Sequence, residues 1–138
     1  KTDPRQVSGT VVGSEKLNDV NKMMRGSQGN VGLIPKEIGD KLQGKVYNNF
    51  DDFRKSYWKE VANSSYANEF SSSNVKRMNK GLAPKAVSGQ HYGKISSYIL
   101  HHKNPIHNGG GVYDLNNLVV VTPKMHQDIL DPNFHFNN

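Results

Sequence analysis

The sequence contains no cysteine. Neither a disulfide framework nor a thiolate zinc site can therefore form, and any metal must be held by histidine, carboxylate or amide oxygen. Long apolar runs are also missing; nothing approaches the roughly 20 residues that a membrane-spanning helix needs. The opening residues, KTDPRQVSGTVVG, lack the apolar stretch of a secretory signal, so passage across a membrane is expected to depend on something other than this segment. Hydrophobic residues are sparse at 34%, whereas glycine is frequent at 13 residues, which predicts that part of the chain is irregular. A chain of 138 residues fits one domain with a single core, and one active site is expected.

What the chain does have is positive charge. Lysine and arginine total 18 against 12 for aspartate and glutamate, a formal charge of +6, and such an excess attracts polyanions, nucleic acid foremost. Residues 1–32 are rich in Gly, Ser, Asn and Gln, with short apolar clusters at Val11-Val12 and Met23-Met24; they are expected to form a linker or weakly ordered arm. Residues 33–138 are expected to form the domain. Pro35 suits a first helical turn, and Ile38 and Leu42 recur at helical spacing before Gly44, which predicts a short helix. Asp51 and Asp52 then precede a stripe of Phe53, Tyr57 and Val61, flanked by Phe50 and Trp58, the pattern of a core-facing amphipathic helix. Residues 66–70 allow one short helix between serine-rich turns, and residues 81–93, with Pro84 and two glycines, read as a surface loop.

The last third carries the chemistry. Residues 95–101 suit a strand, 108–111 an open turn, 118–121 a second strand and 123–130 a helix begun by Thr122. Adjacent His101 and His102 end the first strand, and His126 lies on the helix. Side chains alternate along a strand, so the adjacent pair faces opposite ways and must serve different ends. Metal-assisted phosphodiester cleavage needs two such roles, a cation to stabilise the phosphate and leaving oxygen and a base to activate water. Neutral imidazole can fill either. His91 and His107 have no motif around them and are expected at the surface.

The segment YILHHKNPIHNGGGVYDLNNLVVVTPKMHQDI resembles the HNH, or ββα-metal (His-Me finger), motif of the colicin and pyocin DNases, the C-terminal toxin domains of secreted bacteriocins. GLIPKEIGDKL and FDDFRKSYWKEV resemble the corresponding helices, so the likeness runs from about residue 32 to 129. It implies an α+β fold, a mostly helical small domain closed by a ββα-metal motif at about residues 95–130. It further implies that His102 is the general base, that His101 and His126 bind one divalent metal, and that Asn117 pins the loop between the strands. Gly109-Gly110-Gly111 and Tyr113-Asp114 match the family's connecting loop. The carbonyl near Val112 is implied as the group that orients His102. Arg54 matches a position that approaches the DNA backbone, and Lys94 and Lys124 are further candidates for phosphate contact.

Three positions depart from the family. Leu130 stands where a further metal-binding histidine is expected, leaving His135 as the substitute third ligand, with Asp128 and Asp131 as competitors. Ile95 and Ile99 replace an arginine and a glutamate, with Lys94 shifted by one as a stand-in for the arginine. Three histidines favour zinc or nickel, whereas a more open shell with water and phosphate ligands suits magnesium or manganese. The implied function is a cytotoxic endonuclease, monomeric as an isolated domain, secreted within a larger toxin and cutting DNA non-specifically in the cytoplasm of a competing bacterium. Two alternatives stay open: an RNase toxin on the same scaffold, and a catalytically impaired domain that binds nucleic acid or a partner. The resemblance also implies a small acidic immunity protein, seated on about residues 71–97 and contacting Leu82, Lys85 and Tyr92. Because Leu82 and Lys85 replace the family's aromatic anchors, a distinct cognate inhibitor is expected.

Overall fold

The apolar run LVVV at 118–121 is buried along its whole length, as a strand covered on both faces must be. The structure is a computed structural model that describes residues 4–25, 31–103 and 111–130. In chain order the strands are β1 (Gly9–Thr10), β2 (Met24–Arg25), β3 (Val31–Gly32), β4 (Val46–Tyr47), β5 (Ile99–His102) and β6 (Leu118–Val121). The helices are α1 (Lys36–Leu42), α2 (Phe50–Ala62), α3 (Ser72–Asn79) and α4 (Pro123–Leu130), with short 3-10 turns between. β2, β3, β6 and β5 form an antiparallel sheet in that order, and β1 pairs with β4. The expected α+β class is observed, with the ββα unit made by β5, β6 and α4.

The expected helices form for the expected reasons. Asn49 caps α2 by accepting from the Asp52 amide at 2.9 Å, and Asp51 and Asp52 lie where the helix dipole favours negative charge. Phe53, Tyr57, Trp58 and Val61 of α2 are all fully buried, and for the wholly apolar Phe53 and Val61 this contributes about 1.5–3 kcal/mol of transfer free energy each. Residues 65–69 form a 3-10 turn rather than an α-helix. The segment that follows holds α3, which the sequence hid: its serines and asparagine read as turn, and only Met78 is fully buried. Ser71 caps it by accepting from the Asn74 amide. Gly81, at φ +84, ends it in the left-handed conformation, with its amide donating to the Met78 carbonyl at 2.9 Å.

Two expectations are corrected. Residues 1–32 are not a linker as far as they are described. Val11 and Met23 are fully buried, and β1, β2 and β3 all join sheets. The segment has few apolar side chains, so its anchoring comes from backbone and polar contacts that hydropathy does not register. The Glu69 carboxylate accepts from the Met23 and Met24 amides at 2.8 and 3.0 Å, Tyr66 Oη donates to the Val20 carbonyl at 2.6 Å, and Tyr113 Oη donates to the Val7 carbonyl at 2.8 Å. Gly9 lies so close over the Tyr113 ring that a Cβ would stand 2.4 Å from it. The first strand of the ββα unit is also shorter than 95–101. Tyr92 and Ile95 exchange backbone hydrogen bonds across a tight turn, so regular pairing with β6 begins only at Ile99.

Because two charge-assisted hydrogen bonds hold the Met23-Met24 backbone, Glu69→Ala should cost about 2–3 kcal/mol in denaturant unfolding and expose those two amides to hydrogen exchange. A change under about 0.5 kcal/mol, the range of an indifferent surface substitution, would show that the Glu69 carboxylate does not anchor the Met23-Met24 backbone.

Candidate active site

The register of the ββα unit places His101 opposite Val119 and His102 opposite Leu118. Alternation along β5 then sends the two imidazoles to different neighbours. His101 faces α4, where its ring centroid lies 5.1 Å from that of His126, the planes at 73°. His102 turns toward α2 and rests on Phe50, ring centroids 4.9 Å apart. All three line one pocket of about 240 Å³ together with Arg5, Phe50, Arg54, Tyr98, Ile99 and Leu100.

His102 is buried, and its Nε2 lies 3.0 Å from the Val112 carbonyl oxygen. A carbonyl can only accept, so Nε2 carries the proton and Nδ1 keeps its lone pair. Asn117 spans the connection between the strands. Its side-chain amide donates to the Gly111 carbonyl at 3.2 Å, and its backbone carbonyl accepts from the Lys103 amide at 2.8 Å, so one residue holds both sides of that connection. Asp114 accepts from the Asn116 amide at 3.0 Å and fixes the turn into β6.

Burial sets the protonation of the cluster. Desolvation pulls His101 down to about 4, helped by the charges that His126 and His102 would carry. His102 is lowered by desolvation, against a smaller raising effect of its bond to Val112 and with further lowering by Arg5. Desolvation and then Arg5 lower His126. Near neutral pH all three are uncharged, the form in which imidazole ligates a metal or accepts a proton.

A divalent cation fits the His101–His126 pair. With metal–nitrogen bonds of roughly 2.0–2.1 Å and a tetrahedral angle, two coordinating imidazoles have centroids about 5 Å apart, which agrees with the 5.1 Å observed. Two neutral imidazoles suit zinc or nickel better than magnesium. Among the described residues no third histidine, cysteine, aspartate or glutamate joins them. The expected third ligand, His135, lies outside the described residues, as do Asp131, His107, Gly109 and Gly110.

Arg54 reaches the pocket from α2 while pairing with Asp51, both side chains about half exposed. Ile99 lines the pocket beside His101, but Ile95 sits on the outer turn, 52% exposed. Lys94, on that same turn, and Lys124, in the first turn of α4, are exposed and line no part of the pocket. Leu82, Lys85 and Tyr92 are all exposed on the segment between α3 and β5. His91 is half-buried rather than free at the surface, with Nε2 2.8 Å from the Ala86 carbonyl. Arg5 is the pocket residue that the sequence did not disclose. It belongs to the segment taken for an arm, and no local motif marks it.

The Colicin/Pyocin-S2 DNase domain model matches residues 7–131. Colicin-E8 of Escherichia coli is 42% identical over 122 residues, 88% of this chain and 57% of that protein, so the chain spans little more than half the length of that relative. The fold is similar to the DNase of a pyocin AP41 DNase–immunity complex, with a TM-score of 0.78 and 33% identity over 89% of this chain and 92% of that one. It is equally similar to a mutant nuclease domain of pyocin S8 solved with its cognate immunity protein, with a TM-score of 0.77 and 34% identity over 88% and 98%. The match to the family model runs through β5, β6 and α4, the elements that bring the three histidines together, and the chain therefore belongs to the colicin/pyocin DNase-domain family.

Proposed function

We propose that this domain is a metal-dependent endonuclease that hydrolyses DNA phosphodiester bonds with little sequence preference. The observation that carries the reading is the separation of roles in one pocket: two neutral imidazoles, His101 and His126, at metal-sharing distance, beside a third whose orientation is fixed by the Val112 carbonyl. His102 Nδ1 accepts a proton from the attacking water, and the Val112 carbonyl steadies the imidazolium that results. His101 and His126 would hold a divalent ion, which when bound would supply Lewis-acid stabilisation of the charge developing on the phosphate. Zinc or nickel suits that pair, with His135 as candidate third ligand. Arg5 and Arg54 grip phosphate oxygens from the pocket wall, which positions the duplex without reading bases. Asn117 keeps the connection between the strands closed around His102. Lys94 and Lys124 add screened attraction for the backbone further out. The DNase descriptions of the family and of the AP41 relative favour DNA over RNA.

The relatives' lengths and names support a larger picture, in which the domain is the killing unit of a secreted bacteriocin and acts in the cytoplasm of the target cell. An immunity protein guards the producer. The AP41 and S8 domains were each solved with such a partner. Here the face bearing Leu82, Lys85 and Tyr92, with Leu82 46% and Tyr92 49% exposed, is its docking surface, and the nearby lysines favour an acidic inhibitor.

Plasmid cleavage assayed across several divalent metals should fall by about 10²–10⁴-fold in His102→Ala, the usual worth of a general base; equal cutting by both proteins, or none by the wild type with any metal, would refute the reading. Burial holds His102 below the ordinary imidazole value of about 6.5, so the basic form persists as pH falls past that value. The acid limb of the cleavage profile should have its midpoint below pH 6.5; a midpoint at or above it would contradict the assignment of the base. In calorimetric titrations the immunity proteins of colicins E7 and E8 should bind more weakly than nanomolar, since Leu82 and Lys85 offer no aromatic anchor, whereas nanomolar binding by either would overturn that specificity.

A further inference from the structure

The segment between α3 and β5 that carries Leu82 and Tyr92 also makes a buried polar contact that the nuclease reading does not use. Gln90, at the end of a 3-10 turn, and Thr122, between β6 and α4, are both buried, at 7% and 0% exposure. Thr122 Oγ1 donates to Gln90 Oε1 at 2.8 Å. The same hydroxyl accepts from the Met125 amide at 3.2 Å, capping α4, and the Thr122 carbonyl accepts from the His126 amide at 2.8 Å. Thr122 thus ties three things at one point: the end of the strand paired with β5, the start of α4, and the backbone of His126. Gln90 is fixed in turn by its amide bond to the Val87 carbonyl, 2.9 Å, and the turn is closed by the Ala86 amide on the Ser96 carbonyl, 2.9 Å.

α4 is only eight residues long, too short for helix propensity alone to hold its direction. Its first residue is proline, which supplies no amide donor to the cap. The Met125 amide is accordingly one of few donors by which the cap can steer the helix, and the threonine that accepts from it is itself steered by Gln90. A buried side-chain bond of this kind has no water to exchange with, so its geometry is well defined.

We propose that the Gln90–Thr122 hydrogen bond sets the direction of α4 and so holds His126 beside His101, making Gln90 and Thr122 positioning residues of the site. Ring separation in the imidazole pair then depends on a residue that belongs to the loop of the inhibitor face, not to the ββα unit. The inference draws on the metal reading above only for its second readout.

The test compares wild type with Gln90→Leu, Thr122→Val and Thr122→Ser, the last keeping the hydroxyl. The first readout is the nuclear Overhauser contact between the His101 and His126 rings in metal-free protein. The second is zinc affinity by calorimetry, with thermal unfolding measured alongside. Gln90→Leu and Thr122→Val should weaken the ring contact and reduce zinc affinity by about tenfold, the scale seen when groups supporting metal ligands are removed; Thr122→Ser should restore both. Should Thr122→Val not fold, Gln90→Leu decides alone. A lowered melting temperature with the ring contact and zinc affinity of the wild type would reduce the pair to a merely structural role and overturn the proposal. If the wild type binds neither zinc nor nickel while the ring contact responds as described, the metal reading fails and the positioning role stands.

Discussion

Backbone hydrogen bonds between β5 and β6 set His101 against Val119 and His102 against Leu118, and the rest of the site is built outward from that register. A slip of one residue would exchange the faces of the two histidines, sending the proposed base toward α4 and the proposed ligand toward Phe50. The alternation along β5 opposes such a slip, because Leu100 and His102 are buried whereas Ile99 and His101 are only half-buried. β3 adds a second pairing on the other edge of β6, Val31 with Val121 and Gly32 with Val120. The N-terminal segment is therefore part of what holds the histidines in register, although it lies far from them in sequence.

Burial then does chemical as well as structural work. Partial withdrawal of the three imidazoles from water disfavours their charged forms, and an uncharged imidazole is what both proposed roles require. Desolvation alone would leave the His102 ring free to choose its tautomer; the Val112 carbonyl removes that freedom by requiring a proton on Nε2. The positive charge on Arg5 acts in the same direction on His102 and His126. A chain with a net charge of +6 and no cysteine thus reaches a neutral nitrogen-donor cluster through packing, with basic side chains kept to its rim.

Much of this was legible in the chain. The stripe Phe53, Tyr57 and Val61 marked α2 because its period matches a buried helix face, and Thr122-Pro123 marked the start of α4 through cap chemistry. His101, His102 and His126 stood out by their strand-loop-strand-helix spacing, and Asn117 only through the resemblance to the colicin and pyocin DNase motif. What stayed hidden has a common cause. Glu69 binding the Met23 and Met24 amides, Tyr113 reaching Val7 and Gln90 meeting Thr122 are contacts between residues distant in sequence, made by polar side chains that no periodic pattern singles out. Arg5 was missed with them, since its place in the pocket depends on a segment whose anchoring is of this kind. α3 escaped for a local reason: its serine-rich start also fits a turn, and its single fully buried residue, Met78, leaves almost no apolar stripe.

Three histidines of one pocket divide the labour in the proposed mechanism. A crystal structure of the zinc-loaded domain, with the ion located by anomalous scattering, tests that division. A single ion bound by His101 and His126 is expected, with His102 Nδ1 unligated and Nε2 still bonded to the Val112 carbonyl. An ion ligated by His102, or one bound away from the His101–His126 pair, would contradict it.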